Sequence, residues 1–297
     1  GSNGPDDYLK GYYPQRQDSL DVLIVQDDPL LQIPTAYSQI NLMQKARFKP
    51  DETWDFQYGF HFSETSPYGR YDRHQRVRNG TARYGEWKYG PQKWLMNNLS
   101  GRYTESNAIF DQLSLRMAQQ SFEESRISRS FNDDTRQRRI ENVEAYSANL
   151  DFTKNTGPRN IIYYGIEYIL NDVTSEGRNE ILFDRVVRPD SVAAGPSRYP
   201  QSTWESMAAY VNMEFRQSAR LTFQGGVRYN HFILESDFSN NADFYPFPFR
   251  TAEINNGALT GSLGVVYKPG ESWIIRANAD SGFLSPNMHD IGKVFDS

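Results

Sequence analysis

Ten segments of this chain alternate apolar and polar residues with a period of two, and the connections between them are short and long by turns. A β-strand sends successive side chains to opposite faces, so this alternation gives each strand one apolar and one polar face. In the cleanest case Trp54, Phe56, Tyr58, Phe60 and Phe62 alternate with Asp55, Gln57, Gly59, His61 and Ser63. Another run places Leu259, Gly261, Leu263, Val265 and Tyr267 on one face. After Pro269-Gly270 the pattern resumes with Trp273, Ile275, Ala277 and Ala279. The other segments begin near Ser38, Leu95, Ile109, Tyr146, Ile162, Met207 and Leu221. Helical periodicity competes only weakly, over Gln119 to Ile127, where no caps bound it.

Short connections fall at 49–53, 104–107, 153–160, 216–220 and 268–272, and long ones at 63–92, 127–139, 173–202 and 235–257. This is the meander of an all-β, antiparallel up-and-down transmembrane β-barrel, with strands over roughly 38–283, tight turns at one rim and long loops at the other. Aromatic residues flank the short turns: Phe48 and Trp54, Tyr103 and Phe110, Phe215 and Phe223, Tyr267 and Trp273, with Phe152 and Tyr163 more loosely placed. Such rings favour the headgroup layer, where the ring is apolar and its polar edge stays wet. The expectation is an apolar face turned to lipid, with aromatics marking the periplasmic rim. A soluble β-sandwich would turn the same faces inward, but it supplies no reason for aromatic pairs to recur beside short turns.

Composition narrows the function. Hydrophobic residues make up 38%, and no run of about eighteen apolar residues occurs, so a membrane-spanning helix is excluded. The exclusion does not extend to a barrel, because only half of each strand meets lipid. Aromatic residues reach 14%, which suits short barrel strands. A net charge of −5 argues against a nucleic-acid partner. The absence of cysteine removes disulfides and thiolate metal sites. Acidic runs at 26–29 and 132–134 lack calcium-loop spacing. No nucleophile-elbow, zinc-protease, phosphate-loop or dinucleotide motif is present, so neither an enzyme nor a resident cofactor is expected.

Four stretches carry a family resemblance: "YGEWKYGPQKWLMNNL" (Tyr84 to Leu99), "AQQSFEESR" (Ala118 to Arg126), "NNGALTGSLGVVYKPGE" (Asn255 to Glu271) and "GFLSPNMHDIGKVFDS" (Gly282 to Ser297). The chain resembles TonB-dependent outer-membrane receptors of the Bacteroidetes type, in the group of haem, haemoglobin and siderophore receptors. The resemblance implies a 22-stranded barrel in the outer membrane of a Gram-negative bacterium, a plug domain outside this chain, and a TonB complex reached through that plug. It also implies a small iron-containing ligand. Residues 1–297 would then be a central barrel segment. Leu284 departs from the family pattern, which usually has arginine there. The alternative is a small self-contained pore or adhesin.

Under this resemblance the first long loop is where ligand would be met. Arg70, Arg73, Arg76 and Arg78 suit anionic groups of a ferric chelate or haem propionates, and Tyr68, Tyr71 and Trp87 offer stacking faces. His74 and His289 are candidate axial donors to haem iron. The competing reading is a solvated loop whose charges pair with Asp72 and Glu86.

Overall fold

The computed structural model describes residues 9–183, 185–245, 247–287 and 290. The chain opens with a hairpin of β1 (Tyr12–Gln17) and β2 (Leu20–Val25). Its turn residues Asp18 and Ser19 have φ of 46° and 67°, the left-handed pair a two-residue hairpin turn requires. Next come β3 (Gln39–Phe48) and β4 (Trp54–Thr65). The following connection holds β5 (Tyr68–Gly69), one helical turn α1 (Tyr71–His74), and a small hairpin of β6 (Val77–Arg78) and β7 (Thr81–Ala82). Long strands β8 (Tyr84–Tyr103), β9 (Gln112–Ser130), β10 (Thr135–Asn155) and β11 (Asn160–Phe183) follow. Two short pieces, β12 (Val186–Val187) and β13 (Ala193–Gly195), pair back onto β11. The chain continues through β14 (Gln201–Ser218), β15 (Leu221–Asp237), β16 (Thr251–Gly270) and β17 (Trp273–Asp280).

Ten main strands form one antiparallel sheet in the order β3-β4-β8-β9-β10-β11-β14-β15-β16-β17, each beside its predecessor. Among the described residues β3 and β17 are its edges, and the sheet is open. The stretch 119–127, with its weak helical period, lies in β9, bonded in register to β8 on one side and β10 on the other. Two neighbouring ladders fix it as strand, and no cap favours a helix.

Register aligns the apolar positions into rows. Leu115, Leu150, Ile166, Ala209, Tyr229 and Leu259 face one another in turn across β9 to β16. The row is well exposed: Ile166 is 56% and Leu259 71% accessible. One residue along each strand, the opposite face is a polar network. Arg116 pairs with Asp151 at 2.6 Å, Asn149 donates to Glu167 at 2.9 Å, Arg228 pairs with Glu167, and Asn230 donates to Ser206 at 2.9 Å. Tyr210 crosses Gly165 to donate to Asp151 at 2.6 Å. A Cβ on Gly165 would stand 2.9 Å from the Tyr210 ring, so glycine is what lets the phenol cross.

At the short-turn end the rings touch. Trp54 contacts Tyr103 at 4.5 Å between centres, Tyr103 contacts Phe110 at 6.1 Å, and Phe110 contacts Phe152 at 5.8 Å. Phe152 then stacks on Tyr164, its register partner, while Tyr163 belongs to the other face. Phe215 faces Phe223 in register, Phe48 faces Phe56, and Trp273 faces Gly270.

Away from that rim the strands outrun the apolar band. β8 to β11 have 20, 19, 21 and 24 residues, roughly twice the 9–11 residues that cross a bilayer. Ladder pairing therefore continues into the 63–92, 127–139 and 173–202 segments, and only residues 131–134 separate β9 from β10. The apolar face turns polar at Lys93, Gln119, Glu144, Asp172 and Glu205, so hydrophobic alternation ends there while backbone hydrogen bonding does not. The β1–β2 hairpin covers this extension on the face continuous with the apolar band. Its Asp21 meets Arg129 at 2.6 Å, the two side chains 0% and 2% exposed. Asp21 also accepts from the Asn132 amide at 2.6 Å, and its own amide donates to the Asn132 side chain at 2.7 Å.

Candidate ligand-binding site

The sheet extension builds an arginine–aromatic site on the face continuous with the polar network. Trp87 and Tyr89 lie two apart on β8 and so share a face, opposite Ser128 and Arg126 of β9. Trp87 is 6% exposed, its ring edge-on to Tyr89 at 4.9 Å. Three guanidinium groups close on this pair. Arg126 reaches across from β9, 5.4 Å from the Trp87 ring centre and 5.2 Å from that of Tyr89, and donates to the Tyr89 hydroxyl at 3.0 Å. Arg70 precedes α1 and lies 5.1 Å and 5.6 Å from the same rings, donating to the Tyr89 hydroxyl at 3.3 Å. Arg73, on α1, is 5.5 Å from Trp87.

Electron-rich ring faces make this crowding of cations tolerable, each contact being worth about 0.5–2 kcal/mol. One carboxylate shares the cluster: Asp72 takes two hydrogen bonds from Arg70, at 2.8 and 2.6 Å, and lies 3.8 Å from Arg73. Arg126 also acts on Glu141 of β10 and lies two residues from Glu124 on β9, so further carboxylates border the cluster on this face. Beside it opens a cavity of about 360 Å³, whose lining includes Arg78, Arg83, Tyr84, Trp87, Gln137 and Tyr245. Arg83 stacks on Tyr84 at 5.1 Å. Tyr245 comes from the β15–β16 connection, so the cavity joins residues far apart in sequence.

Arg70, Arg73 and Trp87, singled out by sequence, therefore meet in one place. Tyr71 stands apart, its hydroxyl accepting from the Lys10 amide at 3.2 Å. His74 is 7% exposed, with Nε2 3.1 Å from the Trp87 carbonyl, and it lines a different cavity on the opposite face of β8. Burial pushes its pKa below the usual histidine value. His289 lies outside the described residues. Glu86, expected to pair with loop arginines, instead meets Lys88 at 2.9 Å and Arg136 at 3.8 Å. The residues missed by sequence are Arg126, Tyr89, Arg83, Tyr84 and Tyr245. Their only sign was residue type, since the contact of Arg126 with Tyr89 depends on the β8–β9 register.

A second charged cluster lies on the same face. Glu141 of β10 is 6% exposed and sits between Glu124 of β9 and Ser175 of β11. Among the described residues neither of its carboxylate oxygens has a hydrogen-bond partner. Burial pushes its pKa up to about 7, opposed by Arg198, Arg126 and Arg139 and reinforced by Glu124. Among the described residues no group of histidines and carboxylates is arranged to hold a metal ion.

Residues 7–294 match the family described as TonB dependent receptor-like, beta-barrel. No curated protein matches the chain in sequence. Among solved structures, the ferric citrate transporter FecA in its unliganded form is similar at a TM-score of 0.58 with 15% identity, covering 84% of this chain and 36% of that one. The copper transporter OprC gives 0.62 and 9%, covering 82% and 37%. The ferric yersiniabactin uptake receptor FyuA from Yersinia pestis gives 0.58 and 16%, also covering 82% and 37%. At these identities the likeness is one of fold, and the chain spans well under half of each protein. With the family match running over nearly its whole length, the chain belongs to the β-barrel family of TonB-dependent receptors.

Proposed function

We propose that this chain is the ligand-capturing wall of an outer-membrane receptor that takes up an anionic iron chelate with energy delivered through TonB. The observation that carries the reading is the set of Arg70, Arg73 and Arg126 around Trp87 and Tyr89, with Asp72 bonded to Arg70 beside it. Guanidinium groups held on ring faces keep N–H donors for carboxylate or catecholate oxygens, and the adjoining cavity gives a chelate room beside them. On this reading the exposed apolar rows lie against outer-membrane lipid and the site lies beyond the bilayer, where ligand arrives. Two structural neighbours are named for ferric citrate and ferric yersiniabactin, both of them iron-containing cargo. Haem ligated by His74 is less well supported, because that imidazole is buried behind Trp87 and bonded to its carbonyl.

Titrating the full-length protein in detergent with anionic, neutral and cationic ferric chelates tests this. Anionic chelates should bind best, and Arg126→Ala should weaken them at least tenfold, about 1.4 kcal/mol. Equal binding of all three charge types, or wild-type affinity in Arg126→Ala, would reject the site.

A further inference from the structure

A second cavity, of about 370 Å³, lies between the β1–β2 hairpin and the sheet extension, on the face opposite the arginine–aromatic site. Its lining includes five cationic side chains, Arg16, Lys88, Arg129, Arg136 and Arg185, together with His74. Four of the five have carboxylate partners. Arg16 pairs with Asp134, Lys88 with Glu86 at 2.9 Å, Arg129 with Asp21 at 2.6 Å, and Arg136 with Glu180 at 2.6 Å. Arg185 differs: its Nε donates to the Arg16 carbonyl at 2.9 Å, and among the described residues no carboxylate pairs with it. Among the described residues the cavity therefore keeps one guanidinium with no carboxylate partner.

His74 adds the opposite need. Its Nε2 faces the Trp87 carbonyl at 3.1 Å, and a carbonyl can only accept, so Nε2 carries the hydrogen. Burial favours the neutral ring, which leaves Nδ1 with a lone pair. That nitrogen is buried and has no hydrogen-bond partner among the described residues. A buried polar atom left unpaired in a folded protein calls for a ligand or a water.

From these two groups we infer that the cavity is a binding site for a protonated phosphate, either free or as a phosphomonoester, with anionic oxygens on Arg185 and the phosphate O–H donated to His74 Nδ1. Sulfate matches phosphate in shape and charge but carries no proton near neutral pH. It would satisfy the guanidinium and leave the imidazole unpaired. Carboxylates fail in the same way. The site is distinct from the proposed chelate site, since the sheet lies between them.

Calorimetric titration of the full-length protein with inorganic phosphate and with sulfate, at matched ionic strength, tests the inference. Phosphate should bind about tenfold or more tightly than sulfate, because sulfate leaves the buried Nδ1 acceptor unsatisfied. Arg185 is an exposed residue, so Arg185→Gln should leave the fold intact and abolish phosphate binding. His74→Phe, which keeps a ring and removes the acceptor, should bring phosphate down to the level of sulfate. Equal affinity for the two anions, or undiminished phosphate binding in Arg185→Gln, would overturn the proposal. The source is separated by repeating the titration in nanodiscs of phosphatidylcholine alone or with phosphatidic acid. Loss of the phosphate signal only with phosphatidic acid assigns the site to a lipid headgroup, and an unchanged signal assigns it to a soluble phosphate. No signal in either disc would reject the site.

Discussion

Glu141 is buried, and among the described residues neither of its carboxylate oxygens has a hydrogen-bond partner. Its folded pKa of about 7 lies above the ordinary 4.5, so the folded state holds its proton more tightly than the unfolded chain does. The resulting stability is fully present below the ordinary value and is lost as pH rises through about 7. Glu141→Gln keeps the shape and removes the ionisation. It should be more stable than wild type at about pH 8 by roughly 1–3 kcal/mol, and near parity at about pH 5. Thermal unfolding at both pH values checks this, and a variant no more stable at the higher pH would contradict it. Little of this is legible in the sequence. Glu141 stands in "RQRRIENVE", which reads as a solvated charged run, and no spacing rule brings Arg198 to it from the far side of β11.

The short turns show how elements are tied to one another. Asp111, ahead of β9, accepts from Lys154 Nζ at 2.8 Å, the Ser106 hydroxyl at 2.6 Å, and the amide and side chain of Asn155 at 2.6 and 2.9 Å. One carboxylate thus binds the β8–β9 turn to the end of β10. Lys154 above all, then Ser106 and Asn155, hold its pKa far below the usual carboxylate range. A depressed carboxylate stabilises the fold above its ordinary value, and that stability is lost as pH falls below it. Asp111→Ala should therefore melt below wild type at neutral pH, with the gap narrowing in acid. Melting curves at neutral pH and at about pH 3 decide it; a gap that stays constant would show that packing, not charge, is responsible. Strand cores are readable from alternation because burial on one face writes the period into the side chains. Strand ends are not. Past Lys93, Glu144 and Asp172 both faces are polar or covered, so the ladder continues without a hydrophobic period to announce it.

Across the whole molecule the apolar rows make one continuous exposed face, with Val227 at 50%, Leu259 at 71% and Leu263 at 72%. Soluble proteins rarely expose so large a patch, and a bilayer is the solvent that suits it. Ile166→Arg should cost roughly 2–4 kcal/mol of folding stability in lipid, whereas Gln224→Ala, on the polar face, should cost little. Unfolding in lipid vesicles measures both, and equal tolerance would reverse the assignment of faces. The meander, the aromatic rim and the family are all open to sequence reading, because each rests on local pattern or on stretches of text. The arginine–aromatic site is half visible. Arg70, Arg73 and Trp87 share one loop region, but Tyr89 and Arg126 meet across a ladder interrupted by a register shift between Tyr89 and Gln92.

That ladder has a consequence for diet. Trp87, Tyr89 and Arg126 ride on two strands bonded to each other, and Arg70 is held there by the amide bond it donates to the Trp87 carbonyl at 3.1 Å. Such a surface loses little freedom when cargo docks, and for the same reason it adapts poorly to cargo of another outline. Under the proposed function, a cell that relies on this receptor would acquire one shape of chelate well and would need other receptors for the rest.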